Sequence, residues 1–317
     1  MSDSASAVRK LTGKPTRIVW AQQQQGTTDF ATVGPDFKLM GLCTEDGKGV
    51  RAILPETGSY GSPRLTPNGD RVIFTDNTDK TVYIVNWDGT GRRVLCRGYA
   101  MAAWKHPDTG VEYVFTRPNT TKTWASKSRP VVRRPIDNPE EKETMWDASS
   151  ITWEWFALSP DGTQAAVCAP WPQCGMGEMP CGVMRKIDSG CWTSMAPDNS
   201  HRMWVFDVNH REVKIYDRDG KKLGVLDIHR APGMRGWETY HPRWSNNVRF
   251  ITMTGPYTGG LSGDCPAGDR EIRVHSGGTG IELYIGRLAP DILSVEEWVR
   301  VTGNDKADYC GDAWIGG

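Results

Sequence analysis

Short apolar runs alternate with polar, turn-forming punctuation along the whole chain. The pattern has strand period rather than helix period, and the breaks carry Pro, Asn, Asp and Gly, the residues of tight hairpins. One unit recurs. Ser62-Pro63-Arg64-Leu65-Thr66-Pro67-Asn68-Gly69-Asp70 leads into Val72-Ile73-Phe74. Ala157-Leu158-Ser159-Pro160-Asp161-Gly162 leads into Ala165-Ala166-Val167, and Ser194-Met195-Ala196-Pro197-Asp198-Asn199 into Met203-Trp204-Val205-Phe206. His241-Pro242-Arg243-Trp244-Ser245-Asn246-Asn247 leads into Phe250-Ile251-Thr252, and more weakly Ala103-Trp104-Lys105-His106-Pro107-Asp108 into Tyr113-Val114-Phe115. Each copy predicts strand, turn, strand.

A second half-unit follows several copies. Val82-Tyr83-Ile84-Val85 runs into Asp88-Gly89, Val213-Lys214-Ile215-Tyr216 into Asp219-Gly220, and Phe37-Lys38-Leu39-Met40 into Asp46-Gly47. A further apolar run follows each turn. Together the halves make four-stranded antiparallel units of roughly 40 residues, the size of a propeller blade. Five such units fit residues 60–98, 99–148, 149–190, 191–236 and 237–304. Residues 17–54 hold three strands and 309–315 one more, in which Asp312-Ala313-Trp314-Ile315 resembles an inner strand. The expectation is therefore an all-β, six-bladed propeller closed by a mixed blade of three N-terminal strands and one C-terminal strand, which removes the exposed sheet edges. Residues 1–16 are expected to be a flexible lead-in and 17–317 a single domain.

Thr66-Pro67-Asn68-Gly69 and Ser159-Pro160-Asp161-Gly162, each followed by a strand and then an Asp-Gly turn, resemble the WD40-like (PD40) repeat of the TolB-type propellers. Ala196-Pro197-Asp198-Asn199 matches loosely, and the other copies keep little of the motif. The resemblance implies a periplasmic or secreted setting. It carries no catalytic residues to transfer, because propellers host many unrelated functions.

Composition narrows the partners. The 317 residues hold 35 Gly and 20 Pro, which suits many short strands and turns, and an unusually large complement of 14 Trp. Lys and Arg number 38, as do Asp and Glu, so the chain lacks the basic excess that nucleic-acid binding requires. The basic stretch 122–134 is followed at once by acidic 140–143 and predicts a solvated loop. No run of 18 apolar residues predicts a membrane span. The first residues lack an apolar core of the signal-peptide kind, so a mature or trimmed start is expected. A monomer is expected.

The eight cysteines are Cys43, Cys96, Cys168, Cys174, Cys181, Cys191, Cys265 and Cys310. No pair has zinc-finger or haem-attachment spacing, so disulfides in an oxidising compartment are the leading expectation, ahead of free buried thiols. No cofactor is evident. Calcium on Asp264 and Asp269 of the Gly-rich loop is the one metal considered, against a plain solvated loop.

In a propeller the loops entering the inner strands gather on one face around a central channel. The repeat register brings Tyr60 to Ser62, then Trp153, Glu154 and Trp155, then Cys191 and Trp192 to that mouth. Glu238, Tyr240, His241, Tyr309, Cys310 and Asp312 complete it, while Trp171, Tyr257, His210 and Arg211 come from neighbouring loops. Flat rings stack on sugars and carboxylates bind hydroxyls, so Trp153, Glu154, Trp155, Trp171, Trp192, Glu238, Tyr257 and Tyr309 are the candidate ligand contacts. The competing reading is that rings fill inter-blade space, as expected for Trp20, Trp87, Trp104, Trp204, Trp244 and Trp314.

His241, Tyr240, His210 and Arg211 carry the base and cation chemistry of a polysaccharide lyase. The alternative is that His241 merely packs at a strand start. A glycosidase would pair carboxylates such as Glu154 and Glu238. The leading functional expectation is an extracytoplasmic recognition propeller binding glycan or a protein partner at the loop-rich face. The alternatives are a carbohydrate-active enzyme at the channel mouth, or a scaffold domain of a larger secreted protein whose native sequence continues past Gly317.

Overall fold

The computed structural model describes residues 3–25, 33–118, 129–151, 155–180, 182–234, 236–257 and 280–317. It is a six-bladed β-propeller of four-stranded antiparallel sheets. Blades one to five occupy 60–97, 99–149, 156–189, 191–227 and 238–300, and blade six combines 16–52 with 307–315.

Closure takes the expected form. The strand Ala307–Ile315 pairs antiparallel with Thr16–Gln23, from Thr16 opposite Ile315 to Gln23 opposite Ala307. It thereby becomes the inner strand of blade six. The neighbouring blade fixes its end. The Asn246 Nδ2 amide donates to the Ile315 carbonyl at 3.0 Å, while Asn246 Oδ1 accepts the Ile315 N–H at 2.7 Å.

The tryptophans explain part of their own abundance. Trp104 of blade two donates its indole N–H to the Pro160 carbonyl in the first turn of blade three, at 2.9 Å. Trp314 of blade six does the same to Pro67 in the first turn of blade one, also at 2.9 Å. Each ring lies over the turn glycine, Gly162 or Gly69, both with positive φ (+77° and +74°). A Cβ on Gly162 would sit 2.6 Å from the Trp104 ring. The Pro-Asp/Asn-Gly turn is thus the seat of an indole from the preceding blade as well as a tight reversal. Trp204 and Trp244 stack with ring centroids 4.0 Å apart between blades four and five, and Trp20 is fully buried.

The lead-in departs from expectation. Asp3–Thr12 form helix α1 rather than a flexible tail, with Ala5, Val8 and Leu11 buried on one side. That side packs with Ile18, Phe250, Leu283, Ile285, Val301 and Ile315, along the seam of blades five and six. Gly13, at φ +68°, ends the helix by donating its N–H to the Arg9 carbonyl at 2.9 Å.

Among the described residues one disulfide, Cys168–Cys174, joins register partners on adjacent strands of blade three. Cys43, Cys96 and Cys191 are free thiols, Cys310 is buried in the closing strand, and Cys181 and Cys265 lie outside the described residues. No helix among the described residues is long and apolar enough to cross a membrane.

Two outcomes follow from this packing. A chain ending at Asn304 lacks the closing strand, and its melting temperature by calorimetry should fall by more than about 10 °C; a melt like that of the full chain would refute the closure. Gly162→Ala should destabilise by about 2 kcal/mol or more in urea unfolding, from a side chain at positive φ together with the displaced Trp104 ring.

Candidate functional site

The inner strands are not regular. In blade one, two residues (Ser62, Pro63) face a single residue of the next strand. Trp192 and Thr193 do so in blade four, His241 and Pro242 in blade five, and Cys310 and Gly311 in blade six. The first residue of each bulge is left-handed, with φ of 44° at Ser62, 39° at Trp192, 52° at His241 and 56° at Cys310. None of the four is glycine, so each carries a backbone cost of about 1 kcal/mol.

A bulge re-aims side chains. Successive residues of a regular strand point to opposite faces, yet the Tyr240 and His241 ring centroids lie 5.2 Å apart. An arc of rings results. Trp155 meets Trp192 at 4.8 Å, Trp192 meets Tyr240 at 4.5 Å and His241 at 5.0 Å, and Tyr240 meets Tyr257 at 5.1 Å. His241 and Tyr257 then reach Tyr309 at 6.1 and 6.2 Å. The arc spans blades three to six.

Polar contacts hold it. Thr254 Oγ1 donates to the Tyr240 carbonyl at 3.2 Å and lies 3.1 Å from His241 Nδ1 and 2.9 Å from the Tyr257 hydroxyl. The Trp204 indole donates to the carbonyl of the bulge residue Trp192 at 2.9 Å. His210 packs against Tyr240 with centroids 4.6 Å apart, and its Nε2 is 3.6 Å from Cys191 Sγ. The sequence-predicted group of His210, Tyr240 and His241 does converge. Arg211 is half-buried beside it, tied through its main chain: its N–H donates to Asp207 Oδ1 at 2.9 Å.

Burial sets the chemistry. His210 is 3% exposed, and burial lowers its imidazole from 6.5 to about 4, so it is neutral at pH 7. Burial pushes the Cys191 thiol and the Tyr240 and Tyr257 phenols well up, so all three keep their protons. A general base works best with its pKa near the operating pH, and these groups have been moved away from it.

The remaining predicted residues divide. Trp155 and Trp192 are half-buried, and Trp171 is 44% exposed. Glu238, Tyr257 and Tyr309 are buried. Trp153, Glu154, Asp264 and Asp269 lie outside the described residues. Among the described residues no group of three or more His, Cys, Asp or Glu could hold a metal.

Sequence reasoning brought Asp312 to the channel but missed the other residues of its layer. Directly after the bulge the same register brings Arg64, Ser194, Arg243 and Asp312 to the channel, where Arg243 Nη1 lies 3.4 Å from Asp312 Oδ1. The signal was available in the shared Pro-Arg step of Ser62-Pro63-Arg64 and His241-Pro242-Arg243.

These features define a six-bladed propeller with an aromatic channel wall. A scan against protein-family models finds no match, and neither does a search of curated proteins. Solved structures are similar in fold. TolB from Acinetobacter baumannii superposes with TM-score 0.60 at 14% identity, covering 98% of this chain and 70% of that one. A protein from Agrobacterium tumefaciens assigned as TolB gives 0.55 at 10% identity, covering 96% and 99%. A protein of unknown function from Bacteroides caccae gives 0.54 at 11% identity, covering 95% and 98%. The architecture is accordingly that of the TolB-type propellers.

The site also makes a pH prediction. Asp308, in the closing strand, is buried, and burial raises its carboxyl from 3.8 to about 6. It stays there although Trp20, Gln22 and Asn304 donate N–H groups to it at 2.6, 2.8 and 2.9 Å. A raised carboxyl stabilises the fold below its unfolded value and loses that contribution as pH rises from about 4 to about 6. His210, lowered, contributes above about pH 6.5 and loses that as pH falls to about 4. The two oppose one another in one window. Urea unfolding at about pH 4.5 and 6.5 should show Asp308→Asn losing more stability on acidification than the parent, and His210→Gln losing less. Identical slopes in all three proteins would refute the assignment.

Proposed function

We propose that this protein is an extracytoplasmic recognition propeller that binds a glycan at its loop-rich face. The observation that carries this reading is the arc from Trp155 through Trp192 to Tyr309, built at a cost in backbone conformation around one channel. His210 and Tyr240 are held neutral by burial, which suits a wall that binds better than one that moves protons. Half-buried Trp155 and Trp192, with exposed Trp171, offer the flat apolar faces on which sugar rings stack. The disulfide Cys168–Cys174 supports a compartment outside the cytoplasm.

A second reading, a polysaccharide lyase at the same place, draws on the convergence of His210, Tyr240 and His241. It requires those groups to be reached by substrate, and His210 and Tyr240 to be returned to a working pKa.

A glycan array followed by calorimetric titration separates these readings. Saturable binding without turnover is expected, weakened at least tenfold (about 1.4 kcal/mol) by Trp192→Ala. No binding to any polysaccharide counts against the glycan reading. Release of unsaturated uronate that is lost in His241→Ala would favour the lyase instead.

A further inference from the structure

The arc of rings occupies one end of the channel. Each inner strand runs from that end to the other and leaves through its first turn. At this second end a cavity of about 300 Å3 is lined from all six inner strands. Its charged lining residues are Arg64, Lys105, Arg243 and Asp312, three bases against one acid and hence a net +2, in a chain whose formal net charge is zero.

The single acid is engaged within the wall. Asp312 Oδ2 accepts the Leu65 main-chain N–H at 2.8 Å, and Oδ1 lies 3.4 Å from Arg243 Nη1. Arg243 Nη1 also donates to the Pro63 carbonyl at 3.1 Å, which ties blade five to blade one across blade six. Arg64 and Arg243 hold one register position on those two blades, with Asp312 between them. The facing part of the layer is small: Ala103, Ala157 and Ser194 line the same cavity. The two guanidinium groups therefore stand on one side of this layer and small side chains on the other.

The rim is apolar. Trp104, Trp244 and Trp314 line it, and their indole N–H groups are spent on the carbonyls of Pro160, Val248 and Pro67. A guanidinium presents N–H donors in a fork that matches a carboxylate, and a low-dielectric channel strengthens the attraction. A volume of about 300 Å3 is at the small end of ligand sites.

The geometry points to a binding site for a small organic carboxylate, with the acid group at Arg64 and Arg243 and an apolar body against the indole rim. The carboxylate belongs either to a free organic acid or to the C-terminus of a peptide entering the channel, and the recognition chemistry is the same. This site lies at the opposite end of the channel from the aromatic arc, so its failure leaves the glycan reading untouched.

Calorimetric titration of the full chain tests it. The probes are 3-phenylpropionate and its uncharged amide, then the tripeptide Ala-Ala-Phe with a free or an amidated C-terminus. At least one carboxylate probe should bind saturably, and its amide at least tenfold more weakly. Binding of the free acid alone identifies a free organic acid as the ligand class, and binding of the tripeptide alone a chain terminus.

Arg64→Gln and Arg243→Gln should each weaken binding at least tenfold, and Arg64→Lys less. Asp312→Asn, which removes the competing carboxylate and keeps an acceptor for Leu65, should strengthen it. That gain is one a merely structural role would not produce. Should the arginine variants fail to fold, Ala157→Glu adds a carboxylate to the small side and should abolish binding by charge. No saturable heat with either carboxylate, equal binding of acids and amides, or tight binding that survives Ala157→Glu would each overturn the proposal.

Discussion

The pairing of Ala307–Ile315 with Thr16–Gln23 is the constraint on which the rest depends. A blade left open at either terminus would expose strand edges and the apolar seam between blades five and six. Once the ring closes, every inner strand runs in the same direction about one axis. The starts of those strands then form one end of the channel and their exits the other. The two chemistries of the channel, rings at one end and guanidinium groups at the other, are consequences of that shared direction. Asp308 belongs to the same closure: the groups that satisfy it, Trp20 and Gln22, come from the strand it is paired beside.

The architecture was legible because its signals are local. A Pro-Asn-Gly turn between two apolar runs specifies a hairpin wherever it stands, and repetition does the rest. The inter-blade packing of Trp104 and Trp314 was legible as burial. Their hydrogen bonds to the turn carbonyls of the next blade were not, since those join residues 56 and 247 positions apart. Helix α1 escaped for a different reason. Ala5, Val8 and Leu11 do recur at helical spacing, and Gly13 then Pro15 mark a stop. Ten residues are marginal for an isolated helix, so tertiary burial against Leu283 and Val301 decides the outcome.

At the site, register alone brought Trp192, Tyr240, His241 and Tyr309 to the channel. It did not reveal that four inner strands bulge at a left-handed residue. A left-handed Trp or His has no signature in residue type, because the conformation is imposed by the ladder on either side. The protonation states were equally hidden, being set by burial that no single strand displays. Attention to the strand starts passed over Arg64 and Arg243, although the same Pro-Arg step stands in both copies of the repeat.

The bulges bear on function through their repetition. One left-handed non-glycine residue costs about 1 kcal/mol, and four cost a sizeable part of the 5–15 kcal/mol that holds a typical domain together. A defect would fall at unrelated positions. Here Ser62, Trp192, His241 and Cys310 share one register around one axis. Regular strands would avoid that cost and point Tyr240 and His241 to opposite faces. What the irregularity adds is a pair of neighbouring rings on one side of the strand, joined to Trp192 on the next blade. The closed ring holds that arrangement because hydrogen-bonded ladders on both sides of each bulge fix the flanking residues. The strain lies where the channel is lined, and it aims side chains there that a plain strand cannot.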